Sequence, residues 1–326
     1  MTSYSSSKHA TYFLGLAITF IIIKTISGFD FDFFLLKYRS LINVICLLLI
    51  LSIGISHGSL DHIKGKKLLK IYKIKNKYVF YLSYIFISVL IIFFWLLFPA
   101  LSLFIFLIVA SYHFGKEDSV VYETETFIGS YKKFYRPKYN FLSFTLKGSM
   151  IIIFPLSFHF RETTEIFELL WINNEYFNDT LIYLNNTDFI GIVILFIPIL
   201  SSWFMARWPD DFVFINFEVF SILVLNIIFT PLIAFTIYFC FLHSIRHSAS
   251  LILELDNKNF SKGIKKFLKK ALPLTLVTAI LFIFGVYILT NYYVLDDVIM
   301  KVIFIGLASL TFPHILLEYL IEKNEK

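Results

Sequence analysis

Charge is scarce in this chain. Only 16% of its 326 residues are Asp, Glu, Lys or Arg, where a soluble globular domain carries roughly 25%. With 58% hydrophobic residues and a mean hydropathy of +0.77, this excludes an ordinary soluble fold and points to a multi-span membrane protein. Cysteine is equally sparse. Cys46 and Cys240 both fall inside apolar runs, so a disulfide framework is excluded and both read as small core residues. No A-x-A signal follows the first apolar run near Ala10, which therefore reads as a retained helix rather than a signal peptide. No long repeat or low-complexity linker divides the chain, and a single transmembrane domain over 1–326 is expected. The net charge of +6 does not imply a nucleic-acid partner. The lysines lie in short blocks between apolar runs, as in loops on one face of a bilayer.

What is present is apolar sequence in lengths that suit membrane spans. A span needs about 20 apolar residues, and ten segments qualify: 10–28, 40–57, 78–97, 99–114, 140–158, 189–206, 212–229, 231–250, 272–291 and 300–321. The expected fold is all-α, a polytopic integral membrane helix bundle with about ten transmembrane helices, eight being the alternative count. The apolar stretch 78–114 would reach about 55 Å as one straight helix, too long for a hydrocarbon core of about 30 Å. Pro99 is the natural place to turn, and "TPL" at 230–232 splits a second long run.

With both termini cytoplasmic, one set of loops collects "KGKKLLKIYKIKNK" (64–77), the basic residues of 116–138, Arg207, "KNFSKGIKKFLKK" (258–270), Lys8, Lys323 and Lys326. The opposite loops hold Lys37, Arg39 and Arg161, and the loop 159–188 is acidic. This bias places a multi-pass protein in the cell membrane, with both ends inside. The largest extramembrane pieces, 115–139 and 159–188, are too small to be domains. The outer half of the spans is nearly free of charge, Lys147 being the main exception.

Histidine shares this polarity. His57 in "HGSLDH" ends the second segment, and His113 in "SYHFGKED" ends the fourth. His243 and His247 in "CFLHSIRHS" lie in the eighth, and His314 in "TFPHILLE" lies in the tenth. Five histidines from four helices thus share one membrane layer, while His9 and His159 fall elsewhere. Ionisable groups within membranes are rare and usually functional, and unrelated polar residues would scatter in depth. The i, i+4 spacing of His243 and His247 stacks two imidazoles on one helix face, which suits two metal ligands. Each residue also has an ordinary reading. His57 can simply end a helix, and His113 can cap one with Gly115 in a left-handed turn. His314 can pack against a neighbour, and His62 can sit solvated beside the lysines. Asp61 follows His57 and Asp118 follows His113, each offering a carboxylate for a ring N–H, and Glu318 stands four residues after His314. The ordinary reading of these acids is pairing with local lysines.

An all-imidazole site suits zinc, copper, iron or nickel. Four neutral histidines on Fe(II) leave two of six positions open, as oxygen activation needs. A membrane location implies a lipid-soluble substrate. At these residues the chain resembles the Brp/Blh family of membrane β-carotene 15,15'-dioxygenases. "HGSLDH", "YHFGKED", "YFCFLHSIRH" and "FIGLASLTFPH" carry the likeness in matching order, over about residues 45 to 320. The resemblance implies an Fe(2+) enzyme that cleaves the central double bond of β-carotene with O2, giving two all-trans-retinal. It implies His57, His113, His243 and His247 as the iron ligands, and His314 as a further histidine near the site. Asp61, His62, Asp118, His314 and Glu318 are the candidates for additional ligands or outer partners. A retinal-binding rhodopsin is a candidate downstream partner. The chain departs from the family in having a span before the first motif and "GISHG" where Pro-His-Gly is common; neither removes a ligand.

Three other readings use the same histidines. A di-iron desaturase or hydroxylase needs about eight ligands with H-x-x-H-H pairs, and this chain has no adjacent histidines. A histidine-lined ion carrier needs a polar path from face to face. A bis-histidine haem protein would declare itself in a visible spectrum.

Overall fold

The computed structural model describes residues 6–26, 30–125, 130–135, 140–170, 175–187, 189–205 and 209–324. Arg207, Lys326 and parts of the basic segment 116–138 lie outside the described residues. In chain order the helices are α1 (Ser6–Ile26), α2 (Phe31–Lys37), α3 (Arg39–Ser52), α4 (Asp61–Ile71), α5 (Tyr78–Leu97), α6 (Pro99–Glu117), α7 (Asn140–Phe158), α8 (Phe160–Leu169), α9 (Glu175–Asn186), α10 (Phe189–Met205), α11 (Pro209–Ile228), α12 (Pro231–Ile237), α13 (Ile245–Leu255), α14 (Phe260–Leu289) and α15 (Leu295–Asn324). The segment 115–139 contains a short antiparallel hairpin, β1 (Val120–Glu125) with β2 (Ser130–Tyr135), in register from Val120 opposite Tyr135 to Glu125 opposite Ser130.

The fold is a helical membrane bundle, and among the described residues this hairpin is its one sheet. Each of the ten apolar segments overlaps one or more helical elements. Among the described residues, seven helices are long and apolar enough to cross a membrane, or eight if Asp179–Asn186 and Phe189–Phe204, bent by 74°, form one span. The others are limited by geometry: Phe212–Ile228 is a shorter apolar helix, and 231–250 is broken into α12, a π-helical stretch and α13. Both proline splits occur as expected, with Pro99 opening α6 and Pro231 opening α12. A proline is well placed there, since a first-turn N–H has no helical partner to lose.

Two lysine blocks expected as loops are helical. Lys64–Lys70 lie on α4, and the block 260–270 forms the first third of α14. Asn259 caps α14, its side chain accepting from the Lys262 N–H at 3.0 Å, so the helix starts well before its apolar part. Leu82, Phe86 and Phe93 on α5 and Ile280, Leu281 and Phe284 on α14 are more than half exposed. Such apolar faces, untenable in water, are what a helix presents to lipid.

The tightest crossing is that of α6 on α7. A Cβ placed on Gly115 would lie 2.6 Å from the carbonyl carbon of Phe144, and one on Gly148 would lie 2.7 Å from that of Ser111. The left-handed cap expected of Gly115 is not what occurs. Gly115 lies inside α6, where Ser111 and Gly115 face Phe144 and Gly148 and let two backbones meet.

Candidate metal centre

Two irregular helical segments carry histidines into the middle of the bundle. Between α3 and α4 the chain tightens into a 3-10 helix, Gly54–Leu60, bearing His57. Between α12 and α13 it widens into a π-helix, Tyr238–Ser244, bearing His243. Such departures from α geometry are costly and cluster at functional sites. The two segments are tied together: Ser244 Oγ donates to the Gly54 carbonyl at 2.8 Å, and Gly54 lets the Phe239 ring approach. His9 of α1 lies far from the centre in sequence, and its Nε2–H donates to the Phe241 carbonyl in the π stretch at 2.8 Å.

His57, His113 at the end of α6, His243 and His247 of α13 converge. One ligand atom from each lies within 4.8 Å of every other, and all four residues are buried. The His57 and His247 rings stack at 4.8 Å between centroids, and His113 and His243 meet edge to face at 5.4 Å. His314 of α15 joins them, its ring centroid 5.2 Å from that of His113 and 5.5 Å from that of His247. His113, His314 and Glu318 form a second close group with donor atoms again within 4.8 Å.

The ring nitrogens divide into two kinds. Some are held by carboxylates: His243 Nδ1–H donates to Asp118 Oδ1 at 3.1 Å, and His314 Nδ1–H donates to Asp61 Oδ2 at 2.8 Å. Others are buried without any hydrogen-bond partner: His57 Nδ1, His243 Nε2, His247 Nδ1 and His314 Nε2. Leaving a buried polar atom unsatisfied costs roughly 1–3 kcal/mol. Buried nitrogens left so among clustered imidazoles fit a cation that would accept their lone pairs, with Asp118 and Asp61 fixing the tautomers of His243 and His314.

The expected pairing of carboxylates with histidines is rearranged. Asp61 serves His314 rather than His57, and Asp118 serves His243 rather than His113. Chain neighbours point along their own helix, whereas a partner is fixed by whichever helix crosses there. Glu318 faces three rings: Oε1 lies 3.6 Å from His247 Nε2 and 3.7 Å from His314 Nε2, and Oε2 lies 3.9 Å from His113 Nδ1. His62 takes no part in either group; its Nδ1–H donates to the Ser59 carbonyl at 2.9 Å. His159 is likewise elsewhere, bonded to the Asn226 carbonyl.

Four site residues escaped sequence reasoning. Glu117 stands 3.7 Å from His247 Nδ1, and Lys64 pairs with Glu318 at 2.7 Å. Tyr84 O–H donates to Asp61 Oδ2 at 2.9 Å, and Tyr238 O–H donates to Asp118 Oδ2 at 2.6 Å. Tyr238 is five residues before His243, a spacing that aligns side chains only where the helix widens to i→i+5. Both reach the same carboxylate for that reason. Glu117 was within view, inside the "HFGKED" run.

The family described as Beta-carotene 15,15'-dioxygenase matches residues 48–322. A protein named Beta-carotene 15,15'-dioxygenase, from Uncultured marine bacterium 66A03, is 26% identical over 280 residues, covering 85% of this chain and 93% of its own length. No solved structure matches. The matched span takes in all five clustered histidines and the carboxylates behind them, and with that coverage the chain belongs to the β-carotene 15,15'-dioxygenase family.

Proposed function

We propose that this protein cleaves the central 15,15' double bond of β-carotene with O2, giving two all-trans-retinal, at an Fe(2+) ion held by His57, His113, His243 and His247. The observation that carries the reading is the set of four buried imidazoles with ligand atoms within 4.8 Å of one another, three of them with a buried ring nitrogen that makes no hydrogen bond. Imidazole donors suit iron, and four of them leave coordination positions for O2. When bound, the metal supplies activation of dioxygen beside the polyene.

The chain's own residues do the rest. Asp118 keeps the proton on His243 Nδ1, so that Nε2 is the free donor. Asp61 does the same for His314, whose Nε2 is a fifth nitrogen beside the four. An aromatic file leads away from the centre. Phe239 stacks on His243 at 5.7 Å and 14°, Phe235 on Phe239 at 5.3 Å and 9°, and Phe304 lies 5.8 Å from Phe235. Flat apolar rings of this kind orient a conjugated hydrocarbon and keep water from it. The bulk of the phenylalanines elsewhere pack the core or face lipid. The lysine bias supports a centre toward the cytoplasmic side of the cell membrane, and a retinal-binding rhodopsin would be the natural consumer of the product.

The test is expression of the full chain in a β-carotene-producing bacterium. Orange colour should fade as retinal accumulates, and purified protein should carry one iron per chain. His243→Ala should abolish both; full retinal formation by that variant would overturn the assignment. The group of His113, His314 and Glu318 favours a second reading, a two-ion centre, for which the metal content would be two per chain.

A further inference from the structure

Beside the imidazoles lies a second buried polar cluster, drawn from α7 and α11, which supply none of the clustered histidines, and from α13, which supplies His247. Lys147 of α7, Glu218 of α11 and Arg246 of α13 are each 4% exposed or less. Lys147 Nζ donates to Glu218 Oε2 at 2.7 Å, and Arg246 Nη2 donates to Glu218 Oε1 at 2.6 Å. The same two cations converge on one further atom, the backbone carbonyl oxygen of Asp118, at 2.8 Å from Lys147 Nζ and 2.5 Å from Arg246 Nη1. Lys147 therefore does not stand alone inside the spans. Its counter-ion is Glu218, and with Asp118 the cluster balances two cations against two carboxylates.

Burying four charges in a membrane bundle is expensive even when they are paired. An apolar set of equal volume would pack the same space. The placement of the cluster suggests what it is for. Asp118 is the C-cap of α6, so its carbonyl is among those that a helix end leaves without an internal partner. Here it is held by two cations, which also complement the negative end of the helix dipole. The Asp118 carboxylate is held as well, by Tyr238 at one oxygen and His243 at the other. Gripped through its main chain and both side-chain oxygens, Asp118 has no rotational freedom left. Neither has the ring it orients.

We infer that Glu218 is a positioning residue for the metal centre: by clamping Lys147 and Arg246 onto the Asp118 carbonyl, it fixes Asp118 and through it the ring plane and free nitrogen of His243. Glu218 itself touches no histidine of the centre in any of these contacts. The inference rests on the proposed reading that the imidazoles hold a metal, and its test separates the two.

The full chain in detergent, stripped of metal, is titrated with Co2+ against a competing chelator while the visible ligand-field bands and the melting temperature are followed. Glu218→Gln should weaken Co2+ binding about 10- to 100-fold, the range for residues that orient ligands, and should shift the bands of the saturated protein. Glu218→Asp should restore part of both. Should Glu218→Gln fail to fold, the charge-balanced pair Lys147→Met with Glu218→Gln and the single change Tyr238→Phe give the same readout, expected in the same direction. Asp32→Asn, which breaks the exposed Lys24–Asp32 pair at 2.9 Å, should leave binding unchanged. Wild-type affinity and unshifted bands in the folded variants would overturn the positioning role. So would a lower melting temperature accompanied by an unchanged spectrum at saturation, which marks a purely structural network. A wild-type chain that binds no Co2+ would overturn the metal reading itself.

Discussion

Replacing Gly148 with alanine sets two effects of opposite sign against each other. Alanine in a helix interior is favoured over glycine by about 0.5–1 kcal/mol through backbone entropy. At Gly15 in α1 and Gly191 in α10 an added Cβ meets nothing within 4 Å. Gly15→Ala and Gly191→Ala should therefore be neutral or stabilising. At Gly148 the Cβ would lie 2.7 Å from the Ser111 carbonyl carbon and 2.8 Å from the Gly115 nitrogen, with the Ser111 oxygen closer still. Non-bonded carbons rest at about 3.5–4.0 Å, so α6 and α7 must part by on the order of 1 Å. The clashing atoms are main chain and cannot rotate aside. Overpacking costs about 1–3 kcal/mol, and the upper end of that range outweighs the gain in propensity. The same movement opens the Lys147 contact to the Asp118 carbonyl and displaces His113, two residues before Gly115. A shift of about 1 Å at reacting groups can cost about 100-fold in rate. Gly148→Ala should thus lower both stability in a denaturing-detergent titration and retinal yield in carotene-producing cells. Gly115→Ala should do likewise. The double variant should lose less than the two singles added, because helices already parted accommodate the second methyl. If Gly148→Ala proved as stable and active as Gly15→Ala, this account of the crossing would be wrong.

The π stretch offers a sharper probe of register. Deleting Cys240, which is fully buried, should let Tyr238–Ser244 relax toward an α-helix in which Tyr238 and His243 stand four apart and still share a face, while the contacts that the wide turn makes to His9 and Gly54 are lost and metal binding weakens. Cys240→Ala, which keeps the register, should bind metal normally, and equal binding by both would show that the wide turn is dispensable. A surface prediction concerns acid. Asp256 accepts from Lys266 Nζ at 2.8 Å and from the Asn259 N–H, and the Lys266 bond foremost holds its carboxyl below the usual carboxylate range. A lowered pKa contributes stability that is present above the unfolded value and lost as pH falls through the folded one. Asp256→Asn should lose that small increment at neutral pH and flatten the acid-side slope to match, as unfolding curves across pH will show.

The helices of this fold were legible because they are written in composition and punctuation. Apolar runs long enough for a bilayer gave the segments, and Pro99 and Pro231 gave the breaks. The lysine blocks misled only about length, since α14 begins at Phe260 rather than near 272. A lysine-rich turn and a lysine-rich helix have similar hydropathy, and the Asn259 cap was the overlooked cue. The meeting of His57, His113, His243, His247 and His314 was foreshadowed by their common depth. Depth cannot say which carboxylate meets which ring, because Asp61 and His314 are 253 residues apart. Nor does a hydropathy pattern announce a 3-10 or a π turn, both of which are changes of hydrogen-bond partner with no change of composition.

Those two turns explain why the centre forms where it does. A regular α-helix spaces its side chains so that residues five apart point in different directions. The π stretch brings Tyr238 and His243 onto one carboxylate, and the 3-10 stretch sets His57 beside His247. Each turn gives up some regular backbone bonding and recovers it from outside: His9 supplies a donor to Phe241, and Ser244 supplies one to Gly54. The close crossing at Gly115 and Gly148 then brings Lys147 to the end of α6. The histidines thus depend on residues that never touch them, and the chemistry of the centre rests on how glycine, serine and a widened turn let four helices approach.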